Sequence, residues 1–446
     1  MNAIHDSGHS EPRWILVVLP TWVGDFVMAT PTLRAIRNRF ANAHISFLMN
    51  PNLRDLVRGG DWMDECIEWP QSRRLQLAQG PARRSYFALL RDLRARRFDR
   101  AILLSNSFRS ALIVRAAGAK RRFGYERDGR GFLLTDRLPV KNRRSRATRR
   151  QQAANGAHRN DNDDPTGSTL PTEPLSWDHQ GARAFAQAEA CGSGPRTMDA
   201  SESLSPYHPH RPVRLGESLP VPPGRFVPMP LVEYYADLAE AIGCDRPDDR
   251  LELFTTPDDE ESVQDRLASL GLVDRRPLVV ISPGARYGSA KCWAPERFAS
   301  VADGLIDAEG AAVVVTCGPG EESIARRIGS QMKRVGFVFD HPRLSLGELK
   351  ALIRRSDLLI CNDTGPRHFA KAFGVPVVTI FGPTHPEWTT TSYAAERIVR
   401  IDVDCGPCQQ RVCPLGHLKC MTGVTAEAVL EAAVELLPAR VGPDAP

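Results

Sequence analysis

The sequence predicts an α/β protein built from two parallel-sheet halves, on three observations. Short apolar runs alternate with helix-period segments from Arg13 to about Arg137. The same alternation returns from Pro277 to the end. Between them, residues 141–227 are rich in Pro, Gly, Ser, Asn and Arg and show no periodicity. Strands alternating with helices argue for a parallel sheet covered on both faces. A stretch with so few large apolar side chains cannot bury enough surface to offset its ordering entropy, so it reads as a mostly unstructured insertion.

In the first half, Trp14–Leu19, Ala43–Met49 and Arg100–Ser105 are apolar, strand-length runs. Phe26–Phe40 and Ser85–Arg97 carry the 3.6-residue spacing of helices. Order resumes at Pro230, where Leu231–Ile242 is amphipathic. In the second half, Leu278–Ile281, Ala312–Thr316, Leu358–Cys361 and Val375–Phe381 read as strands. Pro295–Asp307, Glu321–Ile328, Leu346–Arg354, Thr364–Phe373 and Thr425–Leu437 read as helices. The expected domains are residues 13–140, an insertion at 141–229, a helix and linker at 230–276, and residues 277–446. Ligands of open α/β sheets bind beyond the carboxyl ends of the strands. With two such sheets, the expected site is the cleft between them.

Composition narrows the function. With 42% hydrophobic and 25% charged residues, the chain is neither wholly disordered nor fibrous. No apolar run approaches the ~20 residues that span a bilayer. Trp14–Leu19 is short for a signal-peptide core, so a cytoplasmic protein is expected. Fifty-eight basic residues against 53 acidic ones are not the lopsided balance of a nucleic-acid-binding domain. One basic block, Lys141–Asn160, holds seven Lys/Arg and no acid. Such a block is usually solvated; a contact with anionic lipid or nucleic acid is the sharper alternative, disfavoured because no aromatic residues are interleaved with the charges.

Four segments carry the chemistry. The turn Leu19-Pro-Thr-Trp-Val-Gly-Asp25 follows the first strand and opens a helix. Gly24 allows a close approach or a positive φ. Asp25 is either a helix-start acid or a carboxylate base aimed into the cleft. Ser282-Pro-Gly-Ala-Arg-Tyr-Gly-Ser-Ala-Lys-Cys-Trp293 is a Gly-rich loop ahead of a helix, with Arg286 and Lys291 to meet anionic oxygens. It lacks the Gly-Lys-Ser/Thr ending of a Walker loop. In Asn362-Asp-Thr-Gly-Pro-Arg-His368, the N–H groups of Thr364 and Gly365 and the Thr364 hydroxyl suit a phosphate, and Asp363 suits sugar hydroxyls. In Cys317-Gly-Pro-Gly-Glu321, Glu321 is placed either to start a helix or to accept from a ribose diol.

Together these segments resemble glycosyltransferase family 9, which includes the ADP-heptose:lipopolysaccharide heptosyltransferases, most nearly the heptosyltransferase II type. The matching pieces are Thr21–Asp25, Leu104–Leu112, Pro283–Trp293, Asn362–His368 and Phe381–Pro383. The resemblance implies a GT-B architecture: two Rossmann-like domains facing across a cleft, with the last helix returning to brace the first domain. It implies an inverting transfer of heptose from ADP-heptose to a heptose of the lipopolysaccharide inner core. That reaction would run on the cytoplasmic face of the inner membrane, with peripheral membrane contact, no nucleic acid and no metal cofactor. By motif position, Asp25 is implied as general base and Lys291 at the donor diphosphate. Asp363 is implied at the donor sugar, Thr364 and Gly365 at the phosphates, and Glu321 or Glu322 at the ribose; His368 occupies a recurrent position and is counted with the substrate-binding residues, a structural role being the alternative. Same-family transferases with other acceptors, a nucleotide-sugar 2-epimerase and a non-catalytic binding module are the rival readings.

Two features depart from the family pattern. One is the insertion of about 90 residues between the halves. The other is the cluster Cys405-x2-Cys408-x4-Cys413-x6-Cys420, four of ten cysteines within sixteen residues. Thiolates so grouped suit soft metals, but the spacing is not that of a zinc ribbon. Free thiols are the alternative, a disulfide being disfavoured in a reducing compartment.

Overall fold

The computed structural model describes residues 11–70, 85–140, 213–214 and 228–437. The front sheet comprises β1 (Trp14–Val18), β2 (His44–Met49), β3 (Glu65–Glu68), β4 (Arg100–Leu103), β5 (Arg121–Tyr125) and β6 (Asp136–Leu138). Their order is β3-β2-β1-β4-β5-β6, and every neighbouring pair is parallel. Helices α1 (Val23–Arg39), α2 (Arg54–Val57), α3 (Tyr86–Arg96) and α4 (Phe108–Ala116) connect the strands. Ile15 to Val18 are fully buried, as a central strand covered on both faces requires.

The rear sheet repeats this topology. It contains β7 (Val213–Arg214), β8 (Leu278–Ser282), β9 (Ala312–Thr316), β10 (Phe337–Phe339), β11 (Leu358–Asn362), β12 (Val377–Ile380) and β13 (Glu396–Val399). The order is β10-β9-β8-β11-β12-β13-β7, parallel throughout except that β7 pairs antiparallel with β13. Its helices are α7 (Pro295–Glu309), α8 (Glu322–Gln331), α9 (Leu346–Arg355) and α10 (Gly365–Phe373). Between the sheets run α5 (Leu231–Ala241) and α6 (Pro257–Ser269). In both sheets the strand order reverses beside the first strand, at β1/β4 and β8/β11. Crevices open at such switch points.

Two expectations need adjustment. The insertion lies outside the described residues, apart from the β7 pair and residues 228–229, as does all of the Lys141–Asn160 block. The last described helix, α12 (Ala426–Leu436), does not return to the front domain: it packs on α7 and on β12 and β13. The reason is its apolar stripe, Val429, Ala432 and Ala433, buried in the rear core, with Leu430 filling the gap above Gly304 of α7. The segment that completes the front core is α5, which lies along α1. There Tyr125 stacks on Tyr234 at 3.7 Å and donates its hydroxyl to the Tyr234 carbonyl at 2.6 Å. A short α11 (Lys419–Thr422) leads into α12.

Candidate active site

Asp25 stands in the first turn of α1, immediately beyond the carboxyl end of β1. The helix is capped by Trp22 without a side-chain hydrogen bond, so Asp25 is not the cap. No hydrogen bond reaches its carboxylate among the described residues. Burial pushes its pKa up from 3.8 to about 7, and the nearby Lys291 ammonium opposes that rise. A carboxyl that titrates near neutrality is poised to take a proton from a hydroxyl. The charge of Lys291, on the rear sheet, reaches Asp25, on the front one. The two therefore lie within electrostatic reach of each other across the seam where α1 packs on the rear domain.

Lys291 ends a short 3-10 turn, Ser289–Lys291, in the loop after β8. The side chain is almost buried. Its Nζ donates to Asp363 Oδ2 and lies 4.6 Å from the Tyr287 ring centroid. Asp363 follows β11, the neighbour of β8, so the two loops meet at the rear switch point. Thr384 Oγ1 donates to the same Asp363 oxygen at 2.7 Å. Arg367 Nη1 stands 3.7 Å from the other oxygen, Oδ1. Burial would raise the Asp363 carboxyl, but Lys291 and Arg367 outweigh it and hold it below the usual range. Asp363 is therefore an anion that holds the Lys291 ammonium.

Thr364 adopts extended backbone before Gly365 and Pro366 begin α10. Its hydroxyl makes no capping bond, which leaves it available to a ligand. The front turn presses directly on this helix start. A Cβ on Gly365 would lie 2.7 Å from Val23 Cγ1, and one on Gly24 would lie 3.1 Å from the His368 ring. A side chain at Gly365 would force Val23 to shift, and one at Gly24 would press closely on His368, so the front turn and the α10 start approach tightly here. Gly24 is helical, so its second expected use, a positive φ, does not apply. His368 is buried, and its Nδ1 has no partner among the described residues. Burial, with Arg367 and Lys371 nearby, drives its pKa well below 6.5. At neutral pH the imidazole is uncharged, and it packs against the Asp25 turn.

Glu321 precedes α8, and its Oε2 accepts from the Gly318 N–H at 2.9 Å. Burial raises its pKa, against hydrogen bonds from the Gly318 and Ala285 amides. The carboxylate thus bridges its own turn to the loop that carries Lys291. Glu322 instead faces Arg343 at 3.0 Å. Of the two, Glu321 borders the site. Arg286 extends into solvent beside it.

Sequence reasoning missed the support beneath these groups. Arg367 is fully buried and forks onto Glu396, which also accepts from Lys371 and Thr379, each at 3.0 Å. Burial would raise the Glu396 carboxyl, but Arg367 and Lys371 hold it far below the carboxylate range. Burial and Arg367 lower Lys371 to about 8. Lys291, Arg367 and Lys371 thus gather near the start of α10, with Asp363 and Glu396 as direct partners and Asp25 and Asp249 within electrostatic reach. The helix dipole is also positive there, and a helix start suits an anion. Glu396→Gln should destabilise the fold by about 3–5 kcal/mol, because two buried cations lose their counter-ion. Urea unfolding at neutral pH measures this. Tyr235 was also missed: it is buried, and Asp25 is among the groups that raise its pKa.

The four clustered cysteines are free thiols. With His417 and Ala290 they line a cavity of about 20 Å³ beside the Lys291 loop. Among the described residues, no three His, Cys, Asp or Glu side chains are grouped to hold a metal ion.

The family model of glycosyltransferase family 9 (heptosyltransferase) matches residues 86–187 and 226–419. A lipooligosaccharide heptosyltransferase 2 of Campylobacter jejuni is 33% identical over 167 residues, covering 36% of this chain and 51% of the relative. The chain thus spans about half the length of that relative. The lipopolysaccharide heptosyltransferase 2 of Salmonella typhimurium is 25% identical over 432 residues, 96% of either chain. The solved structure of E. coli ADP-heptose lps heptosyltransferase II has a TM-score of 0.61 at 21% identity, covering 95% of this chain and 98% of that one. That is a likeness of fold, and the two sheets are accordingly the Rossmann-like domains of the GT-B architecture. Because the family model covers about two thirds of the chain, the chain belongs to glycosyltransferase family 9.

Proposed function

We propose that this enzyme is an inverting heptosyltransferase of the heptosyltransferase II type, moving heptose from ADP-heptose onto a heptose of the lipopolysaccharide inner core. The observation that carries the reading is the charge pairing across the domain seam. A carboxyl titrating near 7 on the front domain faces a lysine and a helix start on the rear one. Asp25 takes the proton of the acceptor hydroxyl as its oxygen bonds to the anomeric carbon. The bond from that carbon to the diphosphate breaks on the opposite face, which inverts the centre. ADP departs with the electron pair, its charge held by Lys291 and by the Thr364 and Gly365 N–H groups. One carboxylate suffices because a diphosphate, unlike an alkoxide, leaves without protonation. Asp363 orients Lys291 and offers hydroxyl contacts to the sugar, and Glu321 borders the ribose.

The acceptor in this reading is a membrane lipid, which places the enzyme at the cytoplasmic face of the inner membrane. No helix among the described residues is long and apolar enough to cross a membrane, so the contact would be peripheral. The test is purified protein with ADP-heptose and a mono-heptosylated core lipid, followed by mass spectrometry. A mass increment of one heptose, with ADP release that depends on the acceptor, is expected. Conversion of the donor without acceptor would instead indicate an epimerase. No turnover with this pair would send the acceptor assignment elsewhere in the family.

A further inference from the structure

The front domain exposes an aromatic face that its fold does not require. Phe87 is 86% exposed and Phe132 66%, and Tyr86, Phe108 and Leu112 are each more than 40% exposed. Single exposed apolar residues are ordinary on a protein surface. Here Phe108, Phe132, Arg109 and Tyr86 are joined by direct contacts. Phe108, at the start of α4, meets Phe132 at 6.0 Å. Its neighbour Arg109 reaches the Tyr86 hydroxyl at 3.3 Å and lies 5.9 Å from the Trp69 ring centroid. Tyr86 and Phe87 open α3. The solvent stripe of α4 is Phe108, Leu112 and Arg115, where a globular helix normally presents only polar groups.

Charge on this face is one-sided. Residues 85–140 hold thirteen Lys/Arg against five Asp/Glu, an excess greater than the +5 of the whole chain. Arg91, Arg109 and Arg115 are exposed and have no carboxylate partner among the described residues. The face also has a defined place relative to the site. The N–H groups of Leu104 and Ser105, which lead into α4, donate to the Val18 carbonyl at 3.0 and 3.2 Å. The patch therefore lies on the sheet edge that carries the Asp25 turn.

We propose that this face, from the starts of α3 and α4 to Phe132, seats the enzyme on an anionic lipid bilayer. Aromatic rings enter the headgroup boundary while arginine stems lie along it with their charges among lipid phosphates. The occupant follows from charge: arginines with no carboxylate partner among the described residues, set beside exposed rings, complement the negative surface potential of an anionic leaflet. The proposal rests on the reading of a lipid-borne acceptor for its purpose, since it brings the Asp25 turn to the membrane. It does not rest on that reading for its test.

The full chain is sedimented with vesicles of phosphatidylcholine alone and with vesicles containing about 30% phosphatidylglycerol, which supply negative surface potential. Wild-type protein is expected to sediment with the anionic vesicles only, and to be released by high salt. The F87S/F132S variant should partition about tenfold or more weakly, with an unchanged thermal midpoint because both rings are exposed. Equal sedimentation of wild type and variant would overturn the proposal, as would wild-type protein that ignores anionic vesicles. So would a wild-type dimer at sedimentation equilibrium that F87S/F132S splits, since the face would then join two copies. Vesicle binding requires neither donor nor transfer. Loss of the heptosyltransferase reading would therefore leave this result standing.

Discussion

Asp25→Asn should lower kcat by about 100- to 10,000-fold, the usual contribution of a general base, while donor binding is retained. The substitution keeps the side chain's shape and removes only its ability to take a proton. Isothermal titration with ADP should give an affinity close to wild type, and near-normal turnover would remove Asp25 from the chemistry. The wild-type pH profile carries the same information. With a carboxyl raised to about 7, kcat/KM should climb with pH and level off above neutrality. Stability runs the opposite way. Between about pH 4 and 7 the folded protein holds a proton that the unfolded chain has released, so rising pH weakens the fold across that window. Asp25→Asn cannot ionise and escapes this loss. At pH 8 its thermal midpoint should be at or above that of wild type, the pattern of a site that gives up stability for function.

Lys291→Met should lower kcat/KM by about 100- to 1,000-fold, comparable to removing one preorganised group that stabilises a developing negative charge. Two secondary effects mark it as electrostatic. Lys291 is the cation that opposes the upward shift of Asp25, so its loss should move the midpoint of the pH profile to higher pH. Asp363 would keep Thr384 and the more distant Arg367 and lose its ammonium partner, which should also weaken ADP binding. Lys291→Arg restores the charge and should recover the pH midpoint even where geometry limits turnover. An unmoved pH profile in Lys291→Met would separate the two residues and break the charge pairing across the domain seam.

Much of the framework is written in local patterns. Buried parallel strands are continuous apolar runs, so β1 and β9 fall where Trp14–Leu19 and Ala312–Thr316 place them. The helix starts after β1 and β11 are legible because a strand followed by Gly, Asp or Pro marks a turn. The elements that escaped are those whose patterns mislead. α4 does not read as amphipathic because Phe108 and Leu112 occupy its solvent side. The polar α6 is anchored by a capping box between Thr256 and Asp259, with only Asp259, Val263 and Leu267 buried. β13 begins with Glu396, a charged residue that makes sense in a buried strand only once Arg367 and Lys371 are seen against it.

By itself the sequence determined the two α/β halves, the four loops at strand ends and the residue types they carry. These depend on periodicity and turn chemistry, which act over a few residues. Only the tertiary structure decided which of those loops meet. Strand order brings the Lys291 loop beside Asp363, and domain packing brings the Asp25 turn against the start of α10. It also decided that His368 packs uncharged against the Asp25 turn, that Glu396 underlies the site and that the last described helix stays on the rear domain. Burial and charge coupling act through space between residues far apart in the chain, so a carboxyl can move from an ordinary acid to one titrating near 7 with no local sign of it.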